Sequence, residues 1–282
     1  MSYNLLKGKR GIIFGALNED SIAWAIAKKA YEEGAKFTLT NAPIALRFGK
    51  INELAKETKS KVIPADVTSL ADIKNLYDES IKILGGKIDF VLHSVGMSRN
   101  VIKKKEYPFL DYKHFQETLD ISAISLHKVL NIAFKNDYLN EGASVITLTY
   151  IGSQKMFNTY SDMSQAKALL ESIVRSFGNH YGLKKKVRIN SVSQSPTPTT
   201  AGKGVEGFDS FLHFADKMSP LGNANAVECA NYVVSLFSDL TSKVTMQNLY
   251  HDGGFSSVGI SNEVLKNYKP EIEDIKKVAG KE

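Results

Sequence analysis

Two side chains seven positions apart, Tyr160 and Lys167, carry the clearest chemical signal in the chain. Seven residues are two helical turns, ~10.5 Å of rise, so a helix opening at Tyr160 puts both on one face. The lysine's charge favours negative charge developing near the phenol hydroxyl. Such a pair suits a tyrosine that donates to a carbonyl oxygen as charge builds there, with a lysine free to hold ribose hydroxyls. Alone, an aromatic and a lysine one heptad apart make an ordinary helix surface. Placement in the fold decides between the two readings.

Short β-branched runs alternate with helical patterns along the 282 residues. Strands are expected at 11–14, 36–40, 62–63, 90–93, 144–149, 187–192 and 248–251. Helices are expected at 21–33, with Ser21 as N-cap and Gly34 as terminator, and at 44–57, 71–84, 115–134, 160–181 and 226–238, with Gly182 closing the fifth of these six. The alternation predicts an α/β fold: one single-domain, doubly wound, Rossmann-type parallel sheet covered on both faces. Residues 1–260 are read as one catalytic domain, and the charged stretch 261–282 as a partly helical surface tail.

In such sheets ligands bind beyond the carboxyl ends of the strands. Gly15 follows the first strand and leads to Ser21 and Ile22 at a helix N-terminus, where free N–H groups and the helix dipole suit a pyrophosphate. A glycine-rich fingerprint is absent. Asn41 follows the second strand, Asp66-Val67 the third, and Ser94-Val95-Gly96 the fourth. The Asp66 carboxylate can accept from an adenine amino group; helix capping by Asp66, Thr68 or Ser69 is the alternative. No acid or base adjoins Asn41, and Arg47 lies several residues on, so the sequence leans to NAD and leaves NADPH open. Tyr160 and Lys167 follow the fifth strand, which gives the pair its chemical reading.

Composition narrows the class. Hydrophobic residues make up 43% of the chain, and the formal net charge is +6. The basic clusters 103–105 and 184–186 are short and lack aromatic interleaving, so no nucleic-acid partner is expected. Cys229 sits in an apolar helical pattern as core filler. The six histidines, at 93, 114, 127, 180, 213 and 251, have no zinc spacing, and no metal is expected. Without a signal-like N-terminus or a run of ~20 apolar residues, the expectation is a cytoplasmic protein with no membrane partner.

The motifs Gly15-x5-Ser21-Ile22-Ala23, Asp66-Val67, His93-Ser94-Val95-Gly96, Asp120-Ile121-Ser122, Tyr150-Ile151-Gly152, Tyr160-x6-Lys167 and Asp252-Gly253-Gly254 make the chain similar to the NADH-dependent enoyl-acyl carrier protein reductases of the short-chain dehydrogenase/reductase superfamily. The resemblance spans about residues 5–260. It implies hydride transfer from NADH to the β-carbon of a trans-2-enoyl thioester, the final reductive step of bacterial fatty acid elongation. Tyr160 would hydrogen-bond the enolate oxygen, Lys167 would hold the nicotinamide ribose, and Tyr150 would be a second site tyrosine, orienting substrate. Met97 would lie with the substrate, beside Tyr150 and Tyr160. Pro196, Thr197 and Thr199 would meet the nicotinamide and pyrophosphate. Ser195 and Pro198 depart from the family pattern, which often has a glycine and a basic residue there. Residues 200–218 would form the substrate-binding lid, with Gly202, Gly204 and Gly207 suiting its movement. An acyl carrier protein and a homotetramer are the implied partners. Because the lid carries Glu206 and Asp209, carrier docking would use lysines elsewhere.

Tyr181 and Lys185 have the Tyr-x3-Lys spacing of ordinary short-chain dehydrogenases. They fall before the sixth strand, at the amino edge of the sheet, and are discounted. Two other functions compete: a carbonyl or alcohol oxidoreductase using the same cofactor, and a non-catalytic dinucleotide sensor.

Overall fold

The structure, a computed structural model, describes residues 2–268 together with 270, 274 and 278. Strands β1 (Arg10–Phe14), β2 (Lys36–Thr40), β3 (Lys61–Val62), β4 (Ile88–His93), β5 (Leu139–Thr149), β6 (Arg188–Gln194) and β7 (Asn248–His251) pair in parallel, in the order β3-β2-β1-β4-β5-β6-β7. Helices α1 (Ile22–Glu32), α2 (Ile51–Glu57), α3 (Leu70–Leu84), α4 (Arg99–Ile102), α5 (Tyr112–Leu119), α6 (Ser125–Asn136), α7 (Met163–Lys185), α8 (Phe208–Met218), α9 (Ala226–Phe237) and α10 (Asn262–Asn267) connect or follow them.

Side chains along a strand alternate between its faces. Ile13, Phe90 and Leu92 join Trp24, Ile26, Leu54, Cys229 and Val233 in one core layer. Ile12, Phe14 and Val91 join Leu76, Val129, Leu170 and Val174 in the other. The doubly wound sheet therefore follows from the apolar runs. Burial pushes the Cys229 thiol up to about 12, consistent with core filler.

Several boundaries differ from expectation for identifiable reasons. Ser21 occupies the N-cap of α1, but its hydroxyl does not cap the helix. It turns back to accept from the N–H groups of Leu17 and Asn18, at 3.1 and 3.2 Å, and so shapes the loop. The helix expected at 44–57 is split into a 3-10 turn, Ala45–Arg47, and α2. The helix expected at 115–134 is interrupted by a π-turn, Asp120–Ile124. There the Ser125 hydroxyl donates to Ile121 O, and Ser122 is drawn to Met97. Gly182 does not close α7, which runs to Lys185 and ends where Lys186 adopts φ +56°. Tyr160 lies before α7, not on it. Ser161 adopts φ +50°, a left-handed conformation that breaks the helix between Tyr160 and Met163. Of the tail, α10 is helical, and the expectation for 269, 271–273, 275–277 and 279–282 lies outside the described residues.

The sheet's strand order reverses between β1 and β4, and there two loops meet backbone to backbone. Gly15 has φ +91°, and a Cβ built on it would lie 1.8 Å from the carbonyl oxygen of Ser94. Only glycine fits. Gly15→Ala is expected to lower Tm by at least about 5 °C in a thermal melt, through strain plus displacement of Ser94. A variant melting with the wild type would contradict this close approach.

Candidate active site

Lys167 lies on the first turns of α7 and is carried over the carboxyl end of β5. Its ammonium donates to Leu148 O at 2.9 Å, and the residue is 9% exposed. Burial pulls its pKa down to about 8, while Glu171, one turn further along α7, acts in the opposite direction. Glu171 is itself buried and accepts from Thr149 Oγ1 at 2.8 Å. A Cβ at Gly96 would stand 3.8 Å from the Lys167 nitrogen, so the absent side chain leaves room beside the charge. His93 is fully buried, its ring nitrogens 3.0 Å from Thr147 Oγ1 and 2.9 Å from Ser125 Oγ. Burial, with the Lys167 charge adding to it, brings its pKa down to about 3, so it is a neutral core residue.

Tyr160 and Tyr150 meet edge to face, with ring centroids 5.2 Å apart at 69°. Gly152 fits between them: a Cβ there would lie 2.7 Å from the Tyr160 ring and 3.0 Å from that of Tyr150. Burial pushes the Tyr160 phenol far above its usual range. It does the same to Tyr150, with Tyr160 and Asp252 adding to the effect. Both are therefore neutral donors at neutral pH. The buried Tyr150 hydroxyl has no hydrogen-bond partner among the described residues.

The segment expected to be the lid, residues 200–218, packs over these rings through α8. Phe211 of α8 packs 5.2 Å from Phe157 and 6.5 Å from Tyr150, and Phe255 lies 6.1 Å from Phe211. The lid's stem is tied to the loop after β1 by Asn18 Nδ2 donating to Thr200 Oγ1 at 3.1 Å and by Lys203 paired with Asp20 at 3.0 Å. On the other side Lys104 reaches Glu206 at 3.4 Å. Thr197 Oγ1 donates to Ser195 O, and Thr199 Oγ1 accepts from Gly202 N, so both shape the turn that follows the half-buried Thr197 and the buried Pro196.

The remaining expected residues line the strand ends. The first-turn amides of Ile22 and Ala23 take no partner among the described residues, which leaves donors for a pyrophosphate. Asn41 O accepts from Ala65 N, joining the ends of β2 and β3. The Asp66 carboxylate accepts from the Thr68 amide and hydroxyl, and Ser69 caps α3. Asp66 thus braces its own turn at an exposed position, with Val67 buried beneath it. Ser94 supplies the carbonyl against Gly15, and Val95 packs on the second core layer. Met97 is held at both ends of its peptide unit by Ser122 Oγ, at 3.0 and 3.1 Å. Asn41 and Asp66 stand apart from the tyrosines. Four strand spacings of about 4.8 Å separate β3 from β5, a breadth suited to an extended ligand lying across the sheet end. The groove fits a dinucleotide: glycine where backbone must approach, amides at a helix start, and a buried ammonium at the far end.

The enoyl-(acyl carrier protein) reductase family model matches residues 15–256. The chain belongs to this family. It is 36% identical over 267 residues to the NADH-named enoyl-acyl carrier protein reductase of Rickettsia bellii, covering 94% of this chain and all of the relative. It is 35% identical to a second such reductase, from Rhizobium meliloti, over 89% of this chain and 93% of that protein. The solved FabI–NADH complex from Alistipes finegoldii is 58% identical and superposes with a TM-score of 0.93, covering 95% of this chain and 94% of that one.

Two departures from the reductase family pattern have different standing. Ser195 is buried, and its hydroxyl accepts from Ala224 N at 3.0 Å, so it locks the segment after β6 to the start of α9. Pro198 is exposed, lining an open cleft of about 410 Å³ with Leu212 and His213; nothing in the structure explains its presence. The discounted pair stays away from the chemistry. Tyr181 is core, and Lys185 donates to Leu139 O at the opposite end of β5. Among the described residues no cluster of His, Cys, Asp or Glu could hold a metal.

Sequence reasoning missed Glu171, although its spacing of four from Lys167 was a usable signal. It gave no role to Ser122. It also missed Ser98, Asn100, Thr118 and Asp162, buried residues whose contacts cross 44 to 64 positions and leave no local pattern.

A lysine with a depressed pKa binds fewer protons folded than unfolded between about pH 8 and 10.5. Its burial therefore costs most below pH 8, on the order of 3 kcal/mol, and the cost fades as pH rises to 10.5. Lys167→Met in the cofactor-free protein is expected to raise Tm at pH 7, with the gain shrinking by pH 10. A Tm difference that grows with pH would contradict the charge being held at a cost.

Proposed function

We propose that the protein reduces the carbon–carbon double bond of trans-2-enoyl thioesters carried by an acyl carrier protein, using NADH, in the last step of fatty acid elongation. The observation that carries this reading is the pairing of Tyr160 and Tyr150 across Gly152, with a buried Lys167 bonded to Leu148 O at the same end of β5, in a chain of the enoyl-(acyl carrier protein) reductase family.

When bound, NADH supplies the hydride that reaches the β-carbon. The residues do the rest. Ile22 and Ala23 offer amides to the pyrophosphate, Asn41, Asp66 and Val67 flank the adenosine end, and Pro196, Thr197 and Thr199 close over the nicotinamide side. Lys167 holds the ribose. Tyr160, kept neutral by burial, donates to the thioester oxygen and stabilises the enolate as charge moves onto it, and a proton then reaches the α-carbon to complete the reduction. Tyr150, with an uncommitted buried hydroxyl, orients the acyl carbonyl, and Met97 borders the chain. Residues 200–218 shut the aromatic layer over the reacting carbons and exclude water.

A carbonyl or alcohol oxidoreductase is the second reading. Family membership and the spacing of seven favour the double bond. NADH is the cofactor named for the curated relatives, while the solved Bacillus cereus enzyme, 34% identical with a TM-score of 0.85, was crystallised with NADP+. Arg47, exposed on the turn after β2, is the first basic residue beyond that strand and would be the candidate to meet a 2′-phosphate. Lys203 and Lys217, which flank the lid's acids, are paired with Asp20 and Glu263. Carrier docking therefore falls to lysines elsewhere, such as Lys103 and Lys105. No helix among the described residues is long and apolar enough to cross a membrane, and a cytoplasmic homotetramer completes the reading. A monomeric peak in light scattering would reject the tetramer.

The deciding assay follows NADH absorbance with a short 2-enoyl thioester and with its 3-oxo counterpart, repeated with NADPH. Turnover of the enoyl compound alone is expected, and turnover of the 3-oxo compound alone would overturn the reading. Tyr160→Phe is expected to cut kcat at least about tenfold while leaving NADH affinity within twofold, a transition-state loss of ~1.4 kcal/mol or more.

A further inference from the structure

Asp162 is fully buried, two residues beyond Tyr160, and no cation pairs with it among the described residues. A carboxylate in that setting is costly unless donors surround it. Ser98 Oγ donates to Oδ1 at 2.6 Å. Asn100 Nδ2 donates to Oδ2 at 2.7 Å, and the Thr118 hydroxyl shares its proton between the same oxygen, at 3.1 Å, and His114 O, at 2.8 Å. Asp162 stands at the N-cap of α7, where the helix dipole favours negative charge, yet its side chain caps nothing. It points instead at the opposite wall of the site.

Each donor anchors a different piece of that wall. Ser98 follows Met97, and its oxygen also accepts from Val101 N, starting α4. Asn100 clamps the backbone of Asp111 from both sides, donating to its carbonyl oxygen and accepting from its N–H, each at 3.1 Å. Thr118 lies one residue before the last of α5, next to the π-turn that holds Met97. On Asp162's own side, Tyr160 O accepts from Met163 N in the turn that Ser161 forces. Val101, Met163 and Ala166 then pack with Tyr160 in one small apolar cluster.

We propose that Asp162 is a positioning residue for the reaction. It couples the Tyr160 turn to the 97–101 segment, so that the proton donor and the wall beside the enoyl chain keep one registration. Because Tyr160 lies outside the helix that carries Lys167, helical geometry does not place it. The cross-tie from Asp162 does. The charge matters as well as the shape. An asparagine can keep an oxygen toward Asn100 and Thr118 only by turning its NH2 to Ser98 Oγ, which then loses its acceptor; the other orientation sets NH2 against that of Asn100, and flipping Asn100 would break its clamp on Asp111.

The inference rests on the enoyl reductase reading, so wild-type turnover of a short 2-enoyl thioester is the control. Its failure sinks that reading, and only its success tests this one. With wild type active, Asp162→Asn is expected to lower kcat at least tenfold, assayed well below its own Tm, with NADH affinity within twofold. Ser98→Ala keeps Asn100 and Thr118 on Oδ2, removes the donor on Oδ1 together with the acceptor for Val101 N, and is the second variant should Asp162→Asn not fold. It is expected to lower kcat three- to tenfold, and in the double variant the two losses should fall short of additive. Wild-type kcat in either variant at a temperature where it is folded, whatever its Tm, would overturn the proposal by reducing Asp162 to a stabilising contact. Additive losses in the double variant would overturn the coupling.

Discussion

The site is organised around a positive charge kept almost out of water. Lys167 is presented by a long helix to the carboxyl end of β5, where one backbone carbonyl receives it. Burying an ammonium is unfavourable, so its neighbours are constrained in turn. Glu171 supplies distant negative charge. His93, fully bonded by two hydroxyls, is kept from adding a second cation. Gly96 leaves space beside the ammonium instead of a side chain. In the proposed function that space would take ribose hydroxyls, which would restore solvation that the fold removes.

Most of the frame was readable from sequence because it rests on local rules. The apolar runs of β1, β2 and β4 alternate faces, and Gly34 and Gly85, both at positive φ, follow the ends of α1 and α3. The strand β2 and the strand β7 have the bounds that the pattern implies. What local rules could not show were side chains that act against their usual preference. Ser21 stands at a helix start and serves the loop behind it. Asp162 does the same at the next catalytic helix and serves a wall some sixty residues away in sequence. Ser122 opens a helix into a π-turn to hold Met97. Each sits where tertiary demand outweighs propensity, and each lies next to the groove.

The Tyr–Lys pair shows the same limit within one motif. A spacing of seven suggested two groups on one helical face. The structure puts the lysine on the helix and the tyrosine in the turn before it, broken by a left-handed serine. The shared helical face that the spacing implied is therefore absent, and the chemistry proposed for the pair rests on residue type and family. Recognition of the family rested on the motif as a whole and did not depend on that step.

The lid is fastened in two ways of unequal strength. Its ion pairs, Lys203 with Asp20 and Lys104 with Glu206, are exposed and contribute little. Its aromatic face, Phe211 against Phe157, Tyr150 and Phe255, contributes most of the grip. Closure of such a surface carries a negative heat-capacity change. If the segment opens as proposed, that balance would be tuned by temperature more than by ionic strength, and cooling would loosen the cover while leaving the sheet beneath it intact.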